Sequence, residues 1–383
     1  MKVGIVGASM SGLYTALLYA KRNPSASILL FDKEAKAGKK ILATGNGHCN
    51  LFHTPFEASA FNHPDFVQRL LDSHDEGALL NALKSLGIQT MQKDDLLYPL
   101  SYSAASFLSL LLSLVKNAGI SLKLGEAVVK VDGNRLTTNM GSYEFDAIVF
   151  AFGGKSQAKL GSDGSMFRIL QNAGYGVTEM RPSLCPVYSK SIPASLFGVR
   201  HPAKVTYQKD GKILYEERGE VQFKKDGISG IAVMNATAYY EPDAYFTLDL
   251  FPDIEEEKLV QKLTYAYDVI GPSFLSSFLE KPLRDFVLKT AKISAETALN
   301  EKHMSRIAKI LKGLYVPVDR LFDFDSSQVT RGGISLDYVT EDLQSTLDPR
   351  HWFVGECLDI DGRCGGYNLG FALLSALTVA GAL

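Results

Sequence analysis

The chain has 383 residues, with 40 basic against 42 acidic side chains and a formal net charge of −2. That length accommodates two or three domains with a large buried core. The near-balance of charge supplies no field for nucleic acid or an anionic membrane, so neither is expected as a partner. The four cysteines, Cys49, Cys185, Cys357 and Cys364, form no C-x-x-C pair, and the seven histidines show no ligand spacing. Neither a metal site nor a disulfide scaffold is therefore expected.

The chain opens on Val3-Gly4-Ile5-Val6, a strand pattern with no basic region and apolar run before it, so a cytoplasmic location is expected. Residues 2–7 read as a strand, 7–12 as a tight turn, 13–21 as a helix and 28–31 as a second strand ending at Asp32. This β-α-β opening implies a parallel sheet. A Gly-rich loop over 37–50 precedes helical patterns at 65–71, 76–86 and 104–118, then short strands at 121–124, 127–131 and 135–138. Residues 146–151 read as a return to the parallel sheet, running into Gly153-Gly154. From 187 to about 250 short β-like runs broken by Gly and Pro dominate. Residues 255–313 are helical, with Pro272 and Pro282 as breaks; 352–354 read as a last strand and 367–380 as a closing helix. The final 19 residues, 365–383, carry no charge. They read as a helix buried in an α/β core and not as a membrane span, because the apolar run is short and opens on Gly-Gly. The fold class is thus α/β, a Rossmann-type domain interrupted by a β-rich and a helical insertion, with segments 1–186, 187–253, 254–316 and 317–383.

Gly7-Ala8-Ser9-Met10-Ser11-Gly12 stands between strand and helix, where a dinucleotide fingerprint belongs. Gly7 permits the turn, Gly12 permits close helix–sheet packing, and the helix start faces the pyrophosphate. Ser9 occupies the middle position usually held by Gly. Asp32 is placed to accept from ribose hydroxyls. The fingerprint alone does not separate NAD from FAD; the far end of the chain does. Trp352-Phe353-Val354-Gly355-Glu356 puts a carboxylate after a late strand, suited to ribityl hydroxyls. Asp361-Gly362-Arg363-Cys364-Gly365-Gly366-Tyr367-Asn368 then runs into an apolar helix whose start can stabilise negative charge on a reduced isoalloxazine.

Together these segments resemble the BaiN/YhiN-like flavoproteins, a bacterial family of NAD(P)/FAD-dependent oxidoreductases. The most specific element, Gly38-Lys39-Lys40-Ile41-Leu42-Ala43-Thr44-Gly45-Asn46-Gly47-His48-Cys49-Asn50, is similar to the family's G-R-K-x-x-x-T-G-N-G-R-C-N loop, with Lys39 and His48 where Arg is usual. Residues 150–156, 182–187, 227–230, 329–334, 355–362 and 365–368 resemble further family motifs. The resemblance implies an FAD domain built from both termini, with a β-barrel-like and a small helical domain inserted. The candidate cofactor contacts are Gly7, Ser9, Met10, Ser11, Gly12, Asp32, Lys33, Lys40, Thr44, Gly45, Asn46, Cys49, Asn50, Val128, Ala151, Gly153, Gly355, Glu356, Asp361, Gly365, Gly366, Tyr367 and Asn368.

Candidate catalytic residues are His48 and Tyr367, each able to donate a proton, with a bond to phosphate or backbone and simple packing as the alternatives. Arg331 is a candidate for an anionic group. No Ser-His-Asp pattern, no Cys pair of the flavin disulfide reductases and no second dinucleotide fingerprint is present. The expected activity is reduction of a small or apolar organic substrate, with NAD(P)H as a transient co-substrate. An oxygen-using oxidase of small amines and a flavin-binding sensor remain as alternatives; oligomeric state is not legible.

Overall fold

The computed structural model describes residues 1–294 and 297–383. The chain divides into two units, residues 1–182 with 327–383, and residues 183–326.

The first unit is built on five parallel strands: β1 (Lys2–Val6), β2 (Ser27–Asp32), β3 (Ser121–Leu124), β4 (Ala147–Phe150) and β5 (His351–Phe353), in the spatial order β5-β4-β1-β2-β3. The central runs are apolar at every position because both faces of a parallel sheet are covered; β4 and β5 are buried throughout. The β5–β4 register pairs Phe353 with Phe150 and Trp352 with Val149, so a strand from the far end of the chain is a full member of the sheet. Two helices matter for the site, α1 (Met10–Arg22) and α2 (Tyr367–Ala382), and they pack against each other. Residues 10–19 of α1 are all buried, including Leu13 and Leu17 at 0% and 3% exposure. Each such leucine contributes on the order of 2 kcal/mol. Lys21 and Arg22 in its last turn suit the negative helix end, and Pro24 follows the C-cap Asn23. The uncharged carboxyl-terminal stretch is spent on this packing. Among the described residues no helix is long and apolar enough to cross a membrane.

Helix α1 begins at Met10, three residues earlier than the pattern indicates. Ser9 is extended and acts as the N-cap, so the second half of the glycine motif is already helical. The prolines also behave differently from expectation. Pro282 stands in the first turn of the helix Lys281–Thr290, and Pro272 in the first turn of the 3-10 segment Gly271–Ser277. There the missing N–H costs nothing, so both prolines start segments.

The second unit carries a seven-stranded antiparallel sheet in the order Leu314–Pro317, Tyr245–Asp249, Arg200–Lys209, Lys212–Lys224, Gly227–Ser229, Val187–Tyr188, Arg320–Leu321. Its two edge strands are consecutive in sequence. Pro317 and Arg320 lie three residues apart, so the edges end within about 11 Å of each other and the sheet must curl. This is the barrel-like domain that the motifs imply. Helices Glu256–Ile270, Lys281–Thr290 and Glu301–Lys312 share one apolar core with the sheet, in which Phe246, Leu248, Leu259, Leu263, Leu283 and Ile307 are fully buried.

Candidate functional site

Parallel strands point one way, so the residues that follow their carboxyl ends gather at one edge. Gly7 follows β1, Asp32 closes β2, Ala151 follows β4 and Gly355 comes after β5. The Gly7 N–H donates to the Phe31 carbonyl and the Ala151 N–H to the Val6 carbonyl, both at 2.8 Å. A Cβ on Gly12 would sit 1.8 Å from the Gly7 carbonyl oxygen, so this close approach requires glycine. Gly355 has φ +71°, and a Cβ there would lie 2.8 Å from Ser11 Oγ. The turn after β5 therefore rests directly on the first turn of α1. That turn has no side-chain cap and no acidic residue, and Met10 and Ser11 are buried. The unbonded N–H groups and the positive helix end are left for an external anion. Asp32 accepts the Ala8 N–H on Oδ2 and the Glu34 N–H on Oδ1, both at 2.9 Å. Burial pushes its carboxyl group up, and the two N–H bonds hold it down. Each oxygen retains a further acceptor direction.

The loop over 38–50 is wound tightly. Gly45 and Asn46 have left-handed backbones with φ +55° and +53°, and Cys49 has φ +59°. Such conformations in Asn and Cys persist only when neighbours hold them. Here Thr44 Oγ1 donates to the Ile41 carbonyl at 2.7 Å, His48 N to Gly45 O at 3.0 Å, and Cys49 N to Thr44 O at 3.2 Å. Asn50 lies against Gly45. Lys40 reaches from this loop to Glu356, with Nζ 2.7 Å from Oε2 and both side chains about four-fifths buried, at 19% and 18% exposure. His48 Nδ1 lies 2.9 Å from the Tyr102 carbonyl oxygen and therefore carries the hydrogen; its ring stacks on Tyr102 with centroids 4.0 Å apart. Burial pushes the Cys49 thiol up to about 11, so it is protonated at neutral pH and is no ready nucleophile.

Lys33 pairs with Asp163 at 2.5 Å, and Gly153 lies against Ser162. Val128 opens a small antiparallel sheet and is 7% exposed; just before it, Glu126 N–H donates to the Asp32 carbonyl at 3.0 Å. Beyond β5, Asp361 is buried and accepts Arg331 Nε at 2.8 Å, so Arg331 already has an anionic partner within the protein. The Asn368 amide is taken up by the turn it closes. Its Nδ2 donates to Gly362 O at 2.8 Å and its Oδ1 accepts Gly362 N–H at 2.9 Å. Gly365 and Gly366 then lead into α2, whose N-terminus also has no side-chain cap and no acid in its first turn. Tyr367, the first residue of α2, packs on Phe56 and Phe61 and stacks on His53 at 4.7 Å with the planes 12° apart.

Three contributors lay outside the sequence candidates. Thr330 Oγ1 accepts the N–H groups of Lys155 and Ser156 at 2.7 and 3.0 Å, while Thr330 N–H donates to Glu356 Oε1 at 3.0 Å. Thr330 and Ser156 thereby orient the Glu356 carboxylate from behind. The third contributor is His53. The only signal for Thr330 and Ser156 was that both lie in family-like motifs; His53 carried none. Among the described residues no group of His, Cys, Asp or Glu could hold a metal ion.

A profile of the HI0933-like protein Rossmann domain family matches residues 1–382. A 3-dehydro-bile acid delta(4,6)-reductase of Clostridium scindens is 30% identical, the match covering 97% of this chain and 96% of that protein. A ribosomal RNA dihydrouridine synthase of Escherichia coli is 24% identical over 98% of this chain and 96% of its own length. In fold, the chain is similar to a 3-ketosteroid delta1-dehydrogenase from Sterolibacterium denitrificans, with a TM-score of 0.51 at 10% identity, covering 99% of this chain and 98% of that one. With a relative named for ribosomal RNA, the near-balanced charge does not support excluding nucleic acid. The chain belongs to the HI0933-like Rossmann-domain family, the FAD-dependent oxidoreductases that its loop and glycine motifs resemble.

Proposed function

We propose that this protein is an FAD-dependent reductase that saturates a carbon–carbon double bond conjugated to a carbonyl in a small, apolar molecule, with NADH or NADPH as electron donor. The observation that carries the reading is the meeting of both chain ends at one sheet edge. Gly355 lies on Ser11, and Lys40 is paired with Glu356. The residues fit FAD. The uncapped start of α1 suits a pyrophosphate, Asp32 suits a ribose and Glu356 suits the ribityl hydroxyls. The uncapped start of α2 suits the pyrimidine side of the isoalloxazine. When bound, FAD supplies two-electron hydride chemistry.

The protein's own part is placement. Thr330 and Lys40 fix the two oxygens of Glu356. His48, held by the Tyr102 carbonyl and ring, keeps the loop against the site. The names of both relatives describe saturation of a ring double bond, and in a 3-oxo steroid a 4-double bond is conjugated to the carbonyl. That shared chemistry supports the reductase reading, and the 30% identical relative supports a small-molecule substrate. We place the reaction in the cytoplasm, where nicotinamide dinucleotides are present.

The test is anaerobic mixing of the FAD-loaded protein with NADH or NADPH, then with a 4-ene-3-oxo steroid. The flavin absorbance is expected to bleach with at least one nicotinamide and to return on addition of the enone, with the saturated ketone formed. Peroxide release with small amines and no reoxidation by enones would favour the oxidase instead.

A further inference from the structure

Helix α2 begins at a tyrosine and close to an arginine whose polar ends pair with no protein group among the described residues. Among the described residues the Tyr367 hydroxyl has no hydrogen-bond partner, although the residue as a whole is only 5% exposed. The Arg363 guanidinium sits 5.9 Å from the Tyr367 ring centroid and makes no ion pair among the described residues. His53 covers one face of the Tyr367 ring, and its Nδ1, 3.1 Å from the Pro55 carbonyl oxygen, carries the hydrogen that fixes the imidazole plane. Phe56 and Phe61 close the remaining sides at 5.8 Å. Asn368 locks the same turn from the other side through its two bonds to Gly362. A phenol whose ring is clamped in place, with an unpaired cation beside it, is more than core packing requires. A phenylalanine would fill the same space.

We propose that Tyr367 is the proton donor of the reduction, and that Arg363 is the group that steadies the charge left on its oxygen. This rests on the reductase reading above. Hydride derived from the nicotinamide donor and delivered through FAD forms a C–H bond at the β-carbon of the enone. The C=C π bond opens and its electron pair moves toward the carbonyl oxygen as an enolate. The Tyr367 O–H bond breaks and its proton is delivered to the α-carbon, by way of the carbonyl oxygen, giving the saturated ketone and a tyrosinate. The Arg363 guanidinium stabilises that tyrosinate until water returns the proton. The nicotinamide donor supplies both electrons and one hydrogen as hydride; the second hydrogen is the Tyr367 proton, which water replaces. Burial pushes the phenol up and Arg363 pulls it down, while the carboxylates of Glu57 and Asp95 add to the upward push.

Tyr367→Phe keeps the ring and removes only the hydroxyl. It is expected to melt at the wild-type temperature and, once loaded with FAD, still to be bleached by NAD(P)H. Reoxidation by enone should slow by about 10²–10⁴-fold, the usual contribution of a positioned acid. Arg363→Met should slow the same step less and shift its pH profile upward, because tyrosinate becomes harder to form. A readout independent of turnover is the ultraviolet pH titration of the apoprotein. The difference between wild type and Tyr367→Phe gives the Tyr367 titration, and Arg363→Met should move it to higher pH. Enone reoxidation of Tyr367→Phe at the wild-type rate would overturn the inference while leaving the reductase reading intact. Failure of the wild type itself to be reoxidised by any enone would overturn the reductase reading and the inference with it.

Discussion

The Lys40–Glu356 pair joins residues 316 positions apart, and its removal is the sharpest local test of a site assembled from both ends. Lys40→Met and Glu356→Gln each delete one charge with little change in volume. An exposed pair contributes about 0–1 kcal/mol, and stranding one member of a fully buried pair costs about 3–5 kcal/mol. With both side chains about four-fifths buried, each single variant should lose about 1–3 kcal/mol. Glu356→Gln keeps a carbonyl oxygen for the Thr330 N–H and should fall at the lower end. The double variant should lose less than the sum of the singles, leaving a coupling of about 1 kcal/mol or more. The assay is urea unfolding of the apoprotein followed by Trp352, the single tryptophan, which is 5% exposed and lies on β5 close to Glu356. It therefore reports the first unit. Strict additivity, with coupling under about 0.3 kcal/mol, would show that the pair does not tie the loop to the carboxyl-terminal turn. FAD affinity, measured on the same variants, should drop with Glu356→Gln because a ribityl acceptor is lost.

Three further outcomes are expected. Gly12→Ala should abolish soluble folding or FAD binding, because the new methyl would meet the Gly7 carbonyl oxygen at 1.8 Å; a variant as stable as wild type in thermal melts would contradict the close helix–strand approach. His351 donates Nε2–H to the Gly133 carbonyl at 2.7 Å and accepts the Tyr175 hydroxyl on Nδ1 at 2.8 Å. Burial holds its pKa below the ordinary histidine value, so the unfolded chain takes up its proton first. The stability contribution is intact above about pH 6.5 and is lost as pH falls from there through the folded-state value. Urea midpoints of wild type should fall between pH 7.5 and 5.5, values chosen about one unit to either side of 6.5. His351→Gln should be less stable at the higher pH and less sensitive to the change; an equal pH response in both proteins would refute this assignment. Finally, thiol alkylation at neutral pH, followed by intact mass, should label half-exposed Cys364 first, since burial pushes Cys49 and Cys185 up to about 11 and Cys357 up to about 12. Cys49 labelled ahead of Cys364 would show the loop to be far more open than the structure has it.

The β1–α1–β2 opening was legible because apolar runs, glycines and Asp32 all point to the same unit. The position of β3 was not. Ser121–Leu124 alternates in polarity like any short strand, and only its parallel pairing with β2 makes it the sheet edge. The barrel-like curl was implied by motif resemblance and Gly/Pro punctuation. The core that its sheet shares with the helices was invisible, since a helix's apolar stripe does not say what it meets. Positions with a local signature, such as Gly12 and Gly355, could be singled out from sequence, and both sit at close approaches. Long-range partners could not be. Nothing near Lys40 names Glu356, nothing near Glu356 names Thr330, and the stack of His53 on Tyr367 joins the end of the short strand Phe52–His53 to a helix start more than 300 residues away. The chemical class of the site was readable; the arrangement that orients its groups was not.

The central claim is a single FAD site shared by the two ends of the chain. Hydrogen exchange on apoprotein titrated with FAD tests it most directly. Binding should saturate at one FAD per chain, with slowed exchange both in the loop over residues 38–50 and in the turn over residues 355–368. Absence of binding, or protection confined to one of these segments, would contradict the account.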